Sequence, residues 1–108
     1  PDPAAEIAAT IAAYARAIDS RDMSQLRKIH PGMTDEERRG FQDFFTNTRS
    51  LHASLSVVSV QADSVAADAQ IAGSYEYVTT AGRSERQPVS FRALLRRDGS
   101  SWKLVAVK

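Results

Sequence analysis

The apolar positions of this chain change period once. Ile7, Ile11, Tyr14 and Ile18 recur every three or four residues with alanines between them, the spacing of a helix with one buried stripe. From Leu51 the period becomes two, with Leu51, Ala53, Leu55 and Val57 alternating with polar residues as in a half-buried strand. The pattern predicts helices in the first half of the chain and a sheet in the second.

Capping residues mark the helix boundaries. Asp2 followed by Pro3 is an N-cap with proline at the first helical position, where its missing N–H costs nothing. Asp22 with Gln25 three residues later opens a short second helix whose Met23, Leu26 and Ile29 face inward, and Pro31-Gly32 ends it. Thr34 and Glu37 form a capping box for a third helix, followed by Phe41, Phe44, Phe45 and Thr48 on one face.

In the second half, Val58 and Val60 continue the apolar set on switched parity, as a β-bulge would produce. Ala62-Asp63-Ser64 reads as a turn, and Val65, Ala67, Ala69, Ile71, Gly73, Tyr75 and Tyr77 share the inward parity of a second strand. Residues 81–87 read as a polar loop. Asp98-Gly99 between two alternating runs is a strong hairpin signal, and closing it there pairs Leu95 with Trp102, Ala93 with Leu104 and Phe91 with Ala106. A longer loop pairing Arg97 with Trp102 shifts the register by two and leaves the same residues on each face. The opposite face holds Arg92, Leu94, Val105 and Val107, too apolar for a purely solvated surface, and these four are the candidate interface of a homodimer.

Composition narrows the function classes. A chain of 108 residues makes one domain, spanning 1–108, with room for a sizeable core. A net charge of +1 with basic residues spread along the chain gives no nucleic-acid surface. No apolar run approaches the roughly 20 residues of a membrane-spanning helix. The absence of cysteine removes disulfides, thiolate metal sites and cysteine nucleophiles, and leaves the compartment open. An opening Pro1 without an initiator methionine suggests a segment of a longer protein or a processed product.

Three helices followed by a four-stranded antiparallel meander predict an α+β fold, the helices covering one face of a curved sheet. With Tyr14-Ala15-Arg16-Ala17-Ile18-Asp19-Ser20-Arg21-Asp22 at the first helix exit and Leu95-Arg96-Arg97-Asp98-Gly99 through Trp102-Lys103-Leu104 as the closing hairpin, the chain resembles the nuclear-transport-factor-2-like superfamily, which includes SnoaL-like and ketosteroid-isomerase-like proteins. More narrowly, Leu26 to Gly32 and the Phe44-Phe45 helix resemble cone-shaped modules at the C-termini of some bacterial serine/threonine protein kinases. The wider resemblance implies a cone with a pocket between the first helix and the concave sheet. The narrower one implies a regulatory or sensory role.

Enzymes of that superfamily need a carboxylate or histidine in the pocket. Asp19 and Asp22 stand at a helix exit, where capping is the usual role; Asp43 lies off the phenylalanine stripe, and Glu76 has outward parity. His52 alternates out of phase with its apolar neighbours, His30 precedes a proline, and neither has a metal-ligand companion. No catalytic residue, metal or cofactor is therefore assigned. The inward phenols Tyr14, Tyr75 and Tyr77 are the candidate binding residues for a small hydrophobic ligand. The sequence reads as a non-catalytic ligand-binding or dimerisation module of a larger bacterial signalling protein. The alternative is a small enzyme of the ketosteroid-isomerase or dehydratase type acting on a hydrophobic small molecule.

Overall fold

Each helix begins where its capping residue stands. In the computed structural model, which describes residues 2–108, the Asp2 carboxylate accepts from the Ala4 N–H at 3.0 Å and opens α1 (Pro3–Asp19). Asp22 accepts from the Gln25 N–H at 3.1 Å and opens α2 (Met23–Ile29). Thr34 and Glu37 exchange reciprocal bonds, both 3.1 Å, at the start of α3 (Asp35–Thr46). The sheet follows as β1 (Thr48–Ala62), β2 (Ala66–Thr79), β3 (Ser84–Asp98) and β4 (Ser101–Val107), an antiparallel meander in the order β1-β2-β3-β4.

The core lies between α1 and the concave face of the sheet. Ile7, Ile11, Tyr14 and Ile18 are buried against Ala53, Ala69, Ile71, Ala93, Leu95 and Leu104. Three of those sheet positions are alanine, and their small side chains let the helix approach closely. Each fully buried isoleucine contributes about 1.5–3 kcal/mol relative to exposure. Leu26 of α2 and Trp102 of β4 belong to the same core.

The closing hairpin takes the alternative register, with Arg97 and not Leu95 opposite Trp102. Arg97 pairs with Trp102 and Asp98 with Ser101, so Gly99 and Ser100 form the two-residue turn rather than Asp98 and Gly99. Gly99 takes the first central position with φ 63°, a conformation that side chains disfavour there. Leu95 pairs with Leu104 but Leu94 with Ala106, which leaves Val105 as a bulge and pairs Ala93 with Val107. The bulge reverses parity beyond it. Val107 therefore packs against the core and leaves the outer face expected for it, while Arg92 and Leu94 remain outside. Gly32, in the turn between α2 and α3, lies so close to the bulged strand that a Cβ there would stand 2.2 Å from the Val105 carbonyl oxygen.

Four smaller corrections have equally local causes. Val58, expected inward, is the bulge residue of β1 and is 65% exposed, whereas Val60 packs inward. Val65 sits in the β1–β2 turn and outside β2, because the Asp63 carboxylate accepts from the Val65 and Ala66 N–H groups at 2.8 Å. Ser84 to Gln87, read as loop, extend β3 and pair with Val78 to Tyr75. Thr48 begins β1 instead of continuing α3, and its hydroxyl donates to the Phe44 carbonyl at 3.0 Å.

Candidate functional site

Helix α3 has no fully buried residue, and its Phe41 and Phe45 pack against the core while partly exposed. Phe44 lies 5.8 Å from Tyr75, tilted by 34°, and 5.0 Å from Tyr77 at 88°. Phe41 meets Tyr14 of α1 edge-on at 6.4 Å, and Tyr14 in turn meets His30 at 6.4 Å and Phe91 of β3 at 6.3 Å. These separations suit edge-to-face and offset aromatic contact. Rings from α1, α3 and the sheet thus pack against one another on the inner face.

What stays open is a cleft between α3 and the sheet. Its volume is about 290 Å³, it faces solvent, and Glu37, Gly40, Phe41, Phe44, Tyr75 and Gln87 line it. Gly40 is in the middle of α3, where glycine is the weakest common helix former apart from proline. Nothing requires it there: a Cβ on Gly40 would meet no atom within 4 Å, only the open space.

Burial holds the phenols of Tyr14 and Tyr75 and the imidazole of His30 neutral. The Tyr75 phenol is pushed up to about 12 by loss of water. Burial also pushes the Tyr14 phenol up, and Tyr75 and the Glu37 charge add to the effect. Both rings are hydrogen-bond donors at neutral pH. His30 is fully buried, and neither Nδ1 nor Nε2 has a hydrogen-bond partner within the chain. Burial lowers its pKa, while the Glu37 carboxylate pulls the other way. The result is a neutral imidazole with an unsatisfied N–H and lone pair, outside the lining of the cleft.

No protein-family model matches the chain, and no curated protein sequence does. Solved structures do. A protein from Streptomyces avermitilis named as a dehydratase of the NTF2-like family superposes with a TM-score of 0.79 at 18% identity, covering 99% of this chain and 95% of that one. A ketosteroid isomerase-like protein from Erwinia carotovora atroseptica gives 0.76 at 18% identity, covering 98% and 93%. The fold is the nuclear-transport-factor-2-like cone. The intermembrane space region of the chloroplast protein ARC6 is similar as well, at a TM-score of 0.76 and 11% identity, covering 100% of this chain and 96% of that one.

Within this cone, the three phenols expected together divide. Tyr14 is buried in the core, Tyr75 lines the cleft, and Tyr77 packs across Phe44 and borders a separate groove with Ser50, Val78 and Glu85. Glu37, Gly40, Phe41, Phe44 and Gln87 were not candidates from the sequence. Phe41 and Phe44 have the spacing of a core stripe, and Gln87 stands in a polar run that reads as loop. The parity of Gln87 with Tyr75 becomes visible only once β3 is known to begin at Ser84.

The carboxylates weighed from the sequence lie outside the cleft lining. Asp19 accepts a hydrogen bond from the Ala53 N–H and lies 3.5 Å from His52 Nδ1, fastening the end of α1 to the edge strand β1. Asp22 is a cap, Asp43 is exposed, and Glu76 stands 3.9 Å from Arg86 on the outer face. No group of three His, Asp or Glu residues that could hold a metal occurs among the described residues. On the convex side, Arg92 grips Asp68 through Nε at 2.8 and 3.0 Å, which holds the Asp68 carboxyl below its ordinary range. Leu94 is half-buried beside this pair and Val105 is 38% exposed.

Proposed function

We propose that this chain is a non-catalytic ligand-binding module that pairs with a second copy of itself inside a larger bacterial signalling protein. The observation that carries the reading is the division of the cone's interior. Tyr14, His30, Phe41 and Phe91 occupy its depth with ring contacts, and the open space is an aromatic cleft whose one carboxylate, Glu37, already accepts from the Thr34 N–H. A cleft of this kind offers stacking surface and a few polar anchors, which suits binding. The ARC6 likeness adds that the fold occurs as a region of a longer protein. Pairing through the convex sheet face is supported by Leu94 and Val105 beside the Arg92–Asp68 ion pair. The test is a nuclear magnetic resonance screen of small aromatic compounds. Binders should shift signals from α3 and Tyr75, and Gly40→Leu, which fills the cleft, should abolish those shifts. Turnover of a binder by the purified protein would overturn the non-catalytic reading.

A second reading, an enzyme of the ketosteroid-isomerase or dehydratase type, rests on His30. A neutral, unpartnered imidazole against Tyr14 has the free lone pair of a general base. It requires the rings around His30 to part and admit a substrate. Turnover that disappears in His30→Ala would establish it.

A further inference from the structure

We infer that the cleft selects an organic cation, a compact alkylammonium group carried on a small aromatic body, which Glu37 and the faces of Phe41, Phe44 and Tyr75 would hold together. The inference rests on the cleft being the ligand site.

Charge is the first argument. The lining contains one carboxylate, Glu37, and no lysine, arginine or histidine. One Glu37 oxygen accepts from the Thr34 N–H, and a carboxylate has acceptor capacity to spare on the other. Its field reaches inward as well, since it acts on both Tyr14 and His30. An anion entering the cleft would meet that charge unpaired, whereas a cation would complete it.

The rings supply the second argument. An aromatic face is the negative side of the ring quadrupole and attracts a cation, most strongly where water is partly excluded. Phe44 and Tyr75 stand 5.8 Å apart and tilted by 34°, as two adjoining walls. A neutral aromatic ligand would gain stacking on these walls but no charge pairing with Glu37. A cation gains from both.

Gly40 supplies the third. Its missing side chain keeps open the wall between Glu37 and Phe44, at a helix position where no contact and no positive φ calls for glycine. A bulky alkylammonium group needs that width.

The experiment compares meta-hydroxyphenyltrimethylammonium with its neutral isostere meta-tert-butylphenol, titrated into the purified chain and followed by nuclear magnetic resonance. The cation should bind roughly tenfold more tightly than the phenol, the scale of a partly desolvated cation–π contact beside a carboxylate. Glu37→Gln keeps the capping geometry, because glutamine serves at that position, and should shrink the preference for the cation to the part that the rings supply. Gly40→Leu, with its fold checked by circular dichroism, should abolish binding of both. Equal affinity for the two probes in the unaltered chain, or preference for the phenol, would overturn the cation inference and leave the cleft as a binding site. Failure of both probes to bind, or binding undiminished in Gly40→Leu, would overturn the inference together with the reading beneath it.

Discussion

Arg97 lies over the indole of Trp102, its guanidinium carbon 4.8 Å from the ring centroid, and both side chains donate to the same oxygen of Glu6, at 2.8 Å from Arg97 and 3.4 Å from Trp102. The arrangement follows from the hairpin register, which sets Arg97 directly opposite Trp102 on the inward face at the start of α1. It clamps the first turn of the first helix to the last strand. Trp102 is 3% exposed, so Trp102→Ala should cost about 3–5 kcal/mol in urea unfolding, the usual range for a large buried aromatic. A loss below about 1 kcal/mol would mean that the indole is not a core residue.

Glu6 makes the same clamp sensitive to acid. Hydrogen bonds from Arg97 and then Trp102 hold its carboxyl below the ordinary 4.5. A carboxyl lowered in the folded state binds fewer protons than in the unfolded chain. Its stabilisation is therefore complete above about pH 4.5 and is lost as pH falls through the folded-state value. The urea midpoint should fall over that acid range in the unaltered chain and fall less in Glu6→Gln. Identical profiles would show that the clamp does not depend on the charge of Glu6.

His30 acts in a different window. Burial lowers its pKa from 6.5, so the unfolded chain takes up a proton first as pH falls. Stability should be complete above about pH 6.5 and decline below it until the folded-state value is reached. His30→Phe should remove this decline. Since neither imidazole nitrogen is partnered, the same change should leave stability at pH 7 equal or higher. A loss of more than about 2 kcal/mol at pH 7 would show that the imidazole is satisfied by a bound water or ligand.

The limits of the sequence are visible in these residues. The helix starts were legible because Asp2, Asp22 and Thr34 act on N–H groups two or three positions away. The pairing of β3 with β4 was not, because the bulge at Val105 fits against Gly32, over seventy positions earlier, and no local pattern carries that contact. The cleft was hidden for a similar reason. Helical spacing of Phe41 and Phe44 means an apolar face, and only the stand-off of α3 decides whether that face is core or wall. His30 reads only as a pre-proline helix end, and its burial comes from residues far along the chain, among them Tyr14 of α1.

Two glycines make a paired prediction about that packing. At Gly40 a methyl group meets nothing and replaces a poor helix former, so Gly40→Ala should stabilise the chain by about 0.5–1 kcal/mol. At Gly32 the same methyl collides with the Val105 backbone at 2.2 Å, and Gly32→Ala should destabilise by about 1–3 kcal/mol. Thermal unfolding of the two variants tests both. Equal effects of one sign would mean that the turn between α2 and α3 does not press on β4 as described.

The convex face makes the last prediction. After the bulge withdraws Val107 into the core, Leu94 and Val105 are the apolar residues left of the expected interface, and Ala106, expected inward, joins them opposite Leu94, so pairing of two copies through this face depends on Leu94 and Val105. Light scattering should report a dimer at high micromolar concentration. Leu94→Glu sets a carboxylate beside Asp68 on the same face and should convert it to monomer, because β2 and β3 align Leu94 directly with Asp68. Val107→Glu should instead unfold the chain, since that side chain packs on the core. A protein that is monomeric before any change, or a dimer that survives Leu94→Glu, would place the association surface elsewhere or remove it altogether.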